Sequence, residues 1–308
     1  MDFEHVSVLL NESIDSLCID PNGIYVDATA GGGGHSKQIL NALGVNGRLI
    51  AIDRDPDAIK VLNDRIGKDE RVTIVHDNYC NIISILKELS IDSVSVILAD
   101  LGVSSFQLDN AERGFSFHND APLDMRMSKE GPTAADLCNT LPERELAHII
   151  RAYGEEKFAN SIAANIVKAR NVKPIETTLQ LADIVANSMP AKARRNVHPA
   201  RRTFQALRIE VTGELEKLTG SVNDMFDSLA VDGCLSIITF HSLEDRAVKQ
   251  AFAKLCEGCT CPPEFPVCVC GKTPRGKLNF KFKDPSDEEI EKNPRSRSAR
   301  LRSIRKLK

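Results

Sequence analysis

Three acids stand where short β-branched runs end: Asp27 after Ile24-Tyr-Val26, Asp53 after Arg48-Leu-Ile-Ala-Ile52, and Asp100 after Val94-Ser-Val-Ile-Leu-Ala99. Between the first two lies a run of four glycines, residues 31–34, followed by His35 and Ser36. A glycine loop between a strand and a helix lets a nucleotide-like ligand approach the backbone. Asp53, about 20 residues beyond the loop, is placed to bind both hydroxyls of a ribose. Dinucleotide enzymes and S-adenosylmethionine enzymes share that pair, so a discriminator is needed. An acid at Asp27 suits a ligand carrying an ammonium and a sulfonium and repels a pyrophosphate. Ser36 also stands where the dinucleotide fingerprint has its third glycine. Both features favour S-adenosylmethionine. The competing role for Asp27 is a helix cap or a carboxylate that receives loop amides. Tyr79 is placed to pack against an adenine, with ordinary core packing as its alternative.

The third acid opens Asp100-Leu-Gly-Val-Ser-Ser105. Methyl transfer from a sulfonium is an in-line displacement, so the chain must align the acceptor and accept a proton as charge develops. Asp100 can orient the amino group of the ligand or take a hydrogen bond from an acceptor N–H. Methylation at C5 of a pyrimidine would call for a thiol nucleophile, and residues 100–105 contain none. An exocyclic amine or a hydroxyl is the expected acceptor. A second polar cluster, Thr239-Phe-His-Ser-Leu-Glu-Asp245, places His241 on the same sheet edge, where it could meet the acceptor base or its phosphate. Equally, Ser242 could cap the following helix with Asp245 at its N3 position.

The elements that must position these groups follow from periodicity. Strands are predicted at 24–28, 48–52, 72–76 and 94–99, and helices at 35–43, 56–66 and 81–89, the form of repeated βα units around a parallel sheet. After Asp100 the rhythm stops. A turn-rich stretch at 107–127 leads into helical stripes: Leu146, Ile149, Ile150 and Tyr153; Phe158, Ile162 and Ile166; Leu181, Ile184, Val185 and Ser188. A strand pattern returns only at 235–240. The expected architecture is α/β with a mostly parallel sheet and an inserted helical domain, divided as 1–106, 107–200 inserted, 201–291, and a basic tail at 292–308. That arginine-rich tail would be disordered without its partner.

The chain has 308 residues, 42% hydrophobic and 27% charged, which excludes a disordered chain or a small disulfide scaffold. No apolar run approaches the length of a membrane span, and the N-terminal sequence lacks a secretory pattern, so a soluble, cytoplasmic protein is expected. The net charge of −3 hides an uneven distribution. Residues 191–208 and 292–308 contain no acid and together carry +14, which leaves −17 on the rest. An acidic body with two basic stretches suggests a polyanion partner; two solvated helix faces are the alternative. Five of the nine cysteines, Cys256, Cys259, Cys261, Cys268 and Cys270, fall close together. They could supply four thiolates to a structural zinc with one spare. Free thiols in a Pro-rich surface loop weigh more at this point.

Several further motifs carry a resemblance. HVSVLLNE at 5–12, the loop 31–36, DLGVSS at 100–105, RGFSF at 113–117, LDMRM at 123–127, TFQALR at 203–208 and NPRSRS at 293–298 together make the chain similar to the bacterial 16S rRNA (cytosine-N4)-methyltransferases. The resemblance implies a class I, Rossmann-like S-adenosylmethionine domain with an inserted substrate domain. It implies methylation of the exocyclic amine of a decoding-centre (P-site) cytidine of 16S rRNA in the small ribosomal subunit. It places cofactor contacts on Gly33, Gly34, His35, Asp53, Tyr79, Asp100 and Gln107; Asp100 is the catalytic candidate. The cytidine would have to leave its stack to react. Arg113, Arg126, Arg194, Arg195, Arg201, Arg202 and His241 are the candidates for gripping the RNA. No metal and no membrane are expected, and the oligomeric state is open, a homodimer included. The competing functions are a non-catalytic RNA-binding assembly factor and a nicotinamide-dependent oxidoreductase.

Overall fold

The computed structural model describes residues 7–17, 19–194, 198–262 and 265–308. The chain forms two compact units, Met1–Gly102 with Leu215–Lys308, and Val103–Glu214. Helix Arg201–Thr212, which the sequence division placed with the sheet, lies in the second unit.

The first unit is built on a seven-stranded sheet: β1 (Ile24–Asp27), β2 (Arg48–Asp53), β3 (Val72–His76), β4 (Val94–Asp100), β5 (Leu229–Thr239), β6 (Gly276–Lys283) and β7 (Arg300–Lys306). Their order is β3-β2-β1-β4-β5-β7-β6. The first five run parallel, while β7 runs antiparallel to both β5 and β6. This is the α/β, mostly parallel architecture predicted from the sequence. Central parallel strands are covered on both faces, which is why they read as continuous apolar runs. Val26, Ile50 and Ile97 face a core shared with Ile82, Ile85, Met225, Phe226, Val248 and Phe252. Their neighbours Tyr25, Leu49, Ala51 and Leu98 face the opposite side, against Ile39, Leu40, Leu62 and Ile66. Each fully buried branched side chain contributes about 1.5–3 kcal/mol, so the sheet edge carrying the acids rests on a rigid support.

β7 overturns the expectation of a disordered basic tail. Leu301 and Ile304 are fully buried. Arg302 is buried too, and its guanidinium meets Asp245 at 2.7 and 3.0 Å. Arg300 pairs with Asp284 at 2.9 Å, and Lys306 donates to the carbonyls of Asp227 and Leu229. Ser303 lies in a buried polar ladder with Ser236 and Cys234, and Asn279 donates to it from the surface side. Seven of the seventeen residues of the apparent basic tail are thus strand, and Arg300 and Arg302 within them are paired with acids of the sheet unit.

The second unit is helical. Leu146 and Ile150 of helix Glu143–Gly154, Ile162 and Ile166 of Ala159–Arg170, and Leu181 and Val185 of Thr178–Asn187 form its core. Thr133 with Asp136 and Thr177 with Gln180 form capping boxes that fix where two of its helices start. The turn-rich stretch is anchored by Phe115, Leu123, Met125 and Met127, all buried in this core. No helix among the described residues is long and apolar enough to cross a membrane.

Candidate active site

The chain leaves β1 toward β2 on one side and returns to β4 on the other, so the ends of β1 and β4 form a topological switch point, where open α/β sheets bind ligands. Register sets the height of the acids there. Asp27 lies level with Ala51 of β2 and Leu98 of β4, so Asp53 and Asp100 each extend two residues past it. The amide of Asp100 donates to Thr29 Oγ1 at 2.6 Å, which ties the end of β4 to the start of the glycine loop.

Within the loop, Gly31 and Gly33 adopt positive φ of 51° and 81°, a region that favours glycine. Gly33 is the N-cap of helix Gly34–Ala42, whose first turn carries His35 and Ser36. A Cβ on Gly34 would fall on Ser7 Oγ, so the requirement there is close packing.

The three carboxylates differ in their surroundings. Asp27 is fully buried, with Oδ2 receiving the Ser36 hydroxyl at 2.6 Å and Oδ1 the Thr29 amide at 3.3 Å. Burial pushes its pKa up to about 6, with the Ser36 and Thr29 hydrogen bonds opposing the rise. The competing role weighed for Asp27, a carboxylate holding the loop, is the one its contacts display. Asp53 is half-buried; its oxygens accept from the amides of Gly31 at 2.7 Å and Asp55 at 2.8 Å, and burial raises its pKa. A carboxylate has about four lone-pair sites, so Asp53 keeps capacity for two ribose hydroxyls.

Asp100 is the exceptional one. Its Oδ1 is buried with no hydrogen-bond partner, and its Oδ2 lies 3.8 Å from His35 Nδ1. Burial, then the neighbouring charges of Asp27 and Glu244, hold its pKa well above the usual carboxylate range. An orphaned buried oxygen beside two further acids is an acceptor set for a cationic or N–H-bearing ligand, and a poor one for a pyrophosphate. The residues present therefore fit S-adenosylmethionine. Tyr79, in the one-turn helix Tyr79–Asn81 past β3, is half-buried against the main core; its packing role is the one displayed.

The sequence profile of the MraW methylase family matches residues 2–307. The chain belongs to that family. It is 55% identical over 309 residues to a protein named ribosomal RNA small subunit methyltransferase H from Clostridium botulinum (strain Kyoto / Type A2), with 100% of both chains covered. It is 54% identical to the protein of the same name from Lachnospira eligens, covering 100% of this chain and 99% of that one. A solved rRNA methylase from Streptococcus thermophilus aligns with a TM-score of 0.43 at 12% identity, over 98% of this chain and 99% of that one. Membership bears out the expected methyltransferase and the family resemblance.

Within the family's sheet unit, His241 takes a role that the sequence assigned to Ser242. It is the N-cap of helix Ser242–Leu255; its Nδ1 accepts from the Glu244 amide, and Glu244 is the N3 partner in place of Asp245. Asp245 is held by Arg302 and Arg300 instead. His241 Nε2 lies 3.0 Å from Glu244 Oε1.

The remaining candidates lie in the second unit. Gln107 is buried, and its Oε1 accepts from the Ser104 amide, closing the turn before helix Ser105–Asp109. Arg113 is buried with its guanidinium on the carbonyls of Arg126 and Met127. Arg126 forms a two-pronged pair with Asp124 at 2.8 and 2.7 Å. Both arginines, read in the sequence as RNA grips, bind the 113–127 loop to itself. Arg194 and Arg201 are exposed; Arg202 is exposed and donates to the Glu155 carbonyl. Arg195 lies outside the described residues. What the sequence did not reveal is an aromatic stack: Phe117 lies parallel to His198 at 4.3 Å and edge-on to Phe204 at 5.3 Å, joining the 113–127 loop to the segment that leads into Arg201.

Proposed function

We propose that this protein transfers a methyl group from S-adenosylmethionine to the exocyclic N4 amine of a decoding-centre cytidine in the 16S rRNA of the small ribosomal subunit. Supporting the RNA substrate is the name shared by relatives that align with the whole chain at 54–55% identity. The observation that carries the amine acceptor is the orphaned, buried oxygen of Asp100 at the switch point. An amine donor answers it; a carbonyl or phosphate oxygen does not.

The cofactor supplies an electrophilic methyl carried on a sulfonium. The glycine loop and Asp53 fix the ribose, and the Asp27–Ser36 hydrogen bond keeps the loop and the first helical turn in place. Asp100 Oδ1 takes an N–H of the acceptor amine. That contact would orient the amine for in-line attack and draw its proton away, leaving electron density on the nitrogen as the N–C bond forms and the C–S bond breaks. His35 Nδ1, beside Oδ2, is positioned to share the proton afterwards. In the second unit, Arg194, Arg201 and Arg202 are exposed cations available to RNA phosphate.

Small subunits from a strain lacking this activity, incubated with the protein and methyl-labelled cofactor, should gain label on a single cytidine at N4. Absence of label in any RNA would falsify the reading. Label on a ribose or at C5 would overturn the acceptor. A non-catalytic binding factor predicts RNA binding without cofactor affinity, and an oxidoreductase predicts NAD binding, so one calorimetric comparison separates all three.

A further inference from the structure

Residues 257–275, between helix Ser242–Leu255 and β6, contain no helix or strand among those described. Irregular stretches longer than about 12–15 residues are uncommon in compact domains and need some other source of order. Apolar packing does not supply it here: Phe265, Val267 and Val269 are 50%, 70% and 72% exposed. What the stretch does have at its centre is sulfur. One sulfur atom from each of Cys259, Cys261, Cys268 and Cys270 lies within 4.8 Å of the other three.

We propose that these four cysteines bind a structural zinc ion. Four sulfurs placed about 2.3 Å from a tetrahedral centre are roughly 3.8 Å apart. The Cys259–Cys268, Cys268–Cys270 and Cys259–Cys270 separations are 3.4, 3.6 and 3.7 Å. All four cysteines are unbridged. The backbone is arranged for thiolates as well. The Cys261 amide donates to Cys259 Sγ two residues back, and the Val269 amide donates across the pair to Cys261 Sγ. N–H donors on ligating sulfur offset the negative charge that four thiolates concentrate, the usual outer-shell support of such a site. The two Cys-x-Cys segments, tighter than the common Cys-x2-Cys knuckle, therefore act as two halves of one cage. Cys256 is the spare: it is the C-cap of helix Ser242–Leu255 and packs against the main core. Free thiols, favoured on sequence alone, give way to a cage once the four sulfurs are seen to converge.

Binding replaces the S–H protons of the four thiols by bonds to Zn²⁺ and releases those protons to solvent; no oxidant or reductant takes part. The ion closes a cross-link from residue 259 to residue 270 and gives the irregular stretch a fixed centre. The site is independent of methyl transfer, so its test does not depend on activity.

Metal analysis of the full chain purified without chelator should find about one zinc per chain, and below about a tenth of an equivalent overturns the proposal. Cys256→Ser should retain the ion. Cys259→Ser and Cys268→Ser should each lower it severalfold, while circular dichroism reports whether the fold persists. Zinc kept at full occupancy in a folded Cys259→Ser/Cys268→Ser protein would also overturn the proposal. A measurement free of mutation is cobalt exchange on the unaltered chain. The intense visible bands of tetrahedral thiolate-bound Co²⁺ are expected; octahedral, weakly absorbing cobalt contradicts the cage.

Discussion

His35 and Asp100 face one another across the switch point, Nδ1 to Oδ2 at 3.8 Å, while His35 Nε2 lies 3.1 Å from the carbonyl of Val8. A carbonyl only accepts, so Nε2 carries a proton, and in the neutral ring Nδ1 offers its lone pair to Asp100. Burial, and then the charges of Asp27 and Glu244, hold the Asp100 pKa well above the ordinary carboxylate range in the free chain. A cation placed against it lowers that pKa, so cofactor binding should expel a proton. Calorimetric heats of S-adenosylmethionine binding, taken in buffers of different ionisation enthalpy, should therefore depend on the buffer. Asp100→Asn should abolish that dependence and reduce methyl transfer by about 10²–10⁴-fold. Heats that ignore the buffer in the unaltered protein would remove proton release from the account.

Asp53 combines a structural task with the proposed ribose contact, and the two can be separated. Asp53→Ala should weaken S-adenosylmethionine binding by roughly 10–100-fold, the loss expected for hydrogen bonds to a charged acceptor worth about 1.5–3 kcal/mol each. Calorimetry on the variant, alongside a thermal melt, checks this. An affinity within twofold of the original would confine Asp53 to holding the amides of Gly31 and Asp55.

Asp27 gives a pH signature of its own. Its pKa is raised from 3.8 in the open chain to about 6 in the fold, so the folded state binds the extra proton between those values. Below that window both states are protonated and nothing is lost. As pH rises through it, stability falls, by about 3 kcal/mol in total. Denaturant unfolding of Asp27→Asn across the same window should lack this decline. Parallel pH profiles for the two proteins would contradict the raised value.

Arg113 and Arg201 separate structure from RNA contact. Arg113→Ala leaves the carbonyls of Arg126 and Met127 without their buried donor and should cost about 2–4 kcal/mol of stability. Arg201→Ala, at an exposed position, should change stability by less than about 0.5 kcal/mol. If Arg201 meets a phosphate, the variant should lower the slope of log affinity against log salt by about 0.7–0.9. Salt titration of RNA binding provides the reading, and an unaltered slope takes Arg201 off the RNA.

The sheet's first half was open to sequence reading because buried parallel strands such as β2 and β4 are unbroken apolar runs, with helices of different period between them. β7 was not. Its Arg300, Arg302 and Lys306 look like a solvated tail until Asp245, 57 residues earlier, is seen to hold Arg302. Asp53 could be placed by its distance from the glycine loop. The pairing of His35 with Asp100 could not, because it depends on how far β4 extends past β1. The same limit applied to Arg113, where type and motif suggested RNA and only the fold displays two carbonyls closing over the guanidinium. The four cysteines were visible as a cluster, but spacing alone could not tell converging sulfurs from scattered ones.

Because β7 lies between β5 and β6, the sheet cannot be assembled in the order in which the chain is synthesised. Until residues 300–306 have emerged, β5 presents an unpaired edge of apolar strand and β6 has no neighbour. The parallel half can collapse early, while the last pairing waits for the most distal residues and closes from both sides at once. The basic character of that segment then has a second use: a strand rich in arginine and lysine stays soluble and resists pairing with other chains while it waits for its slot.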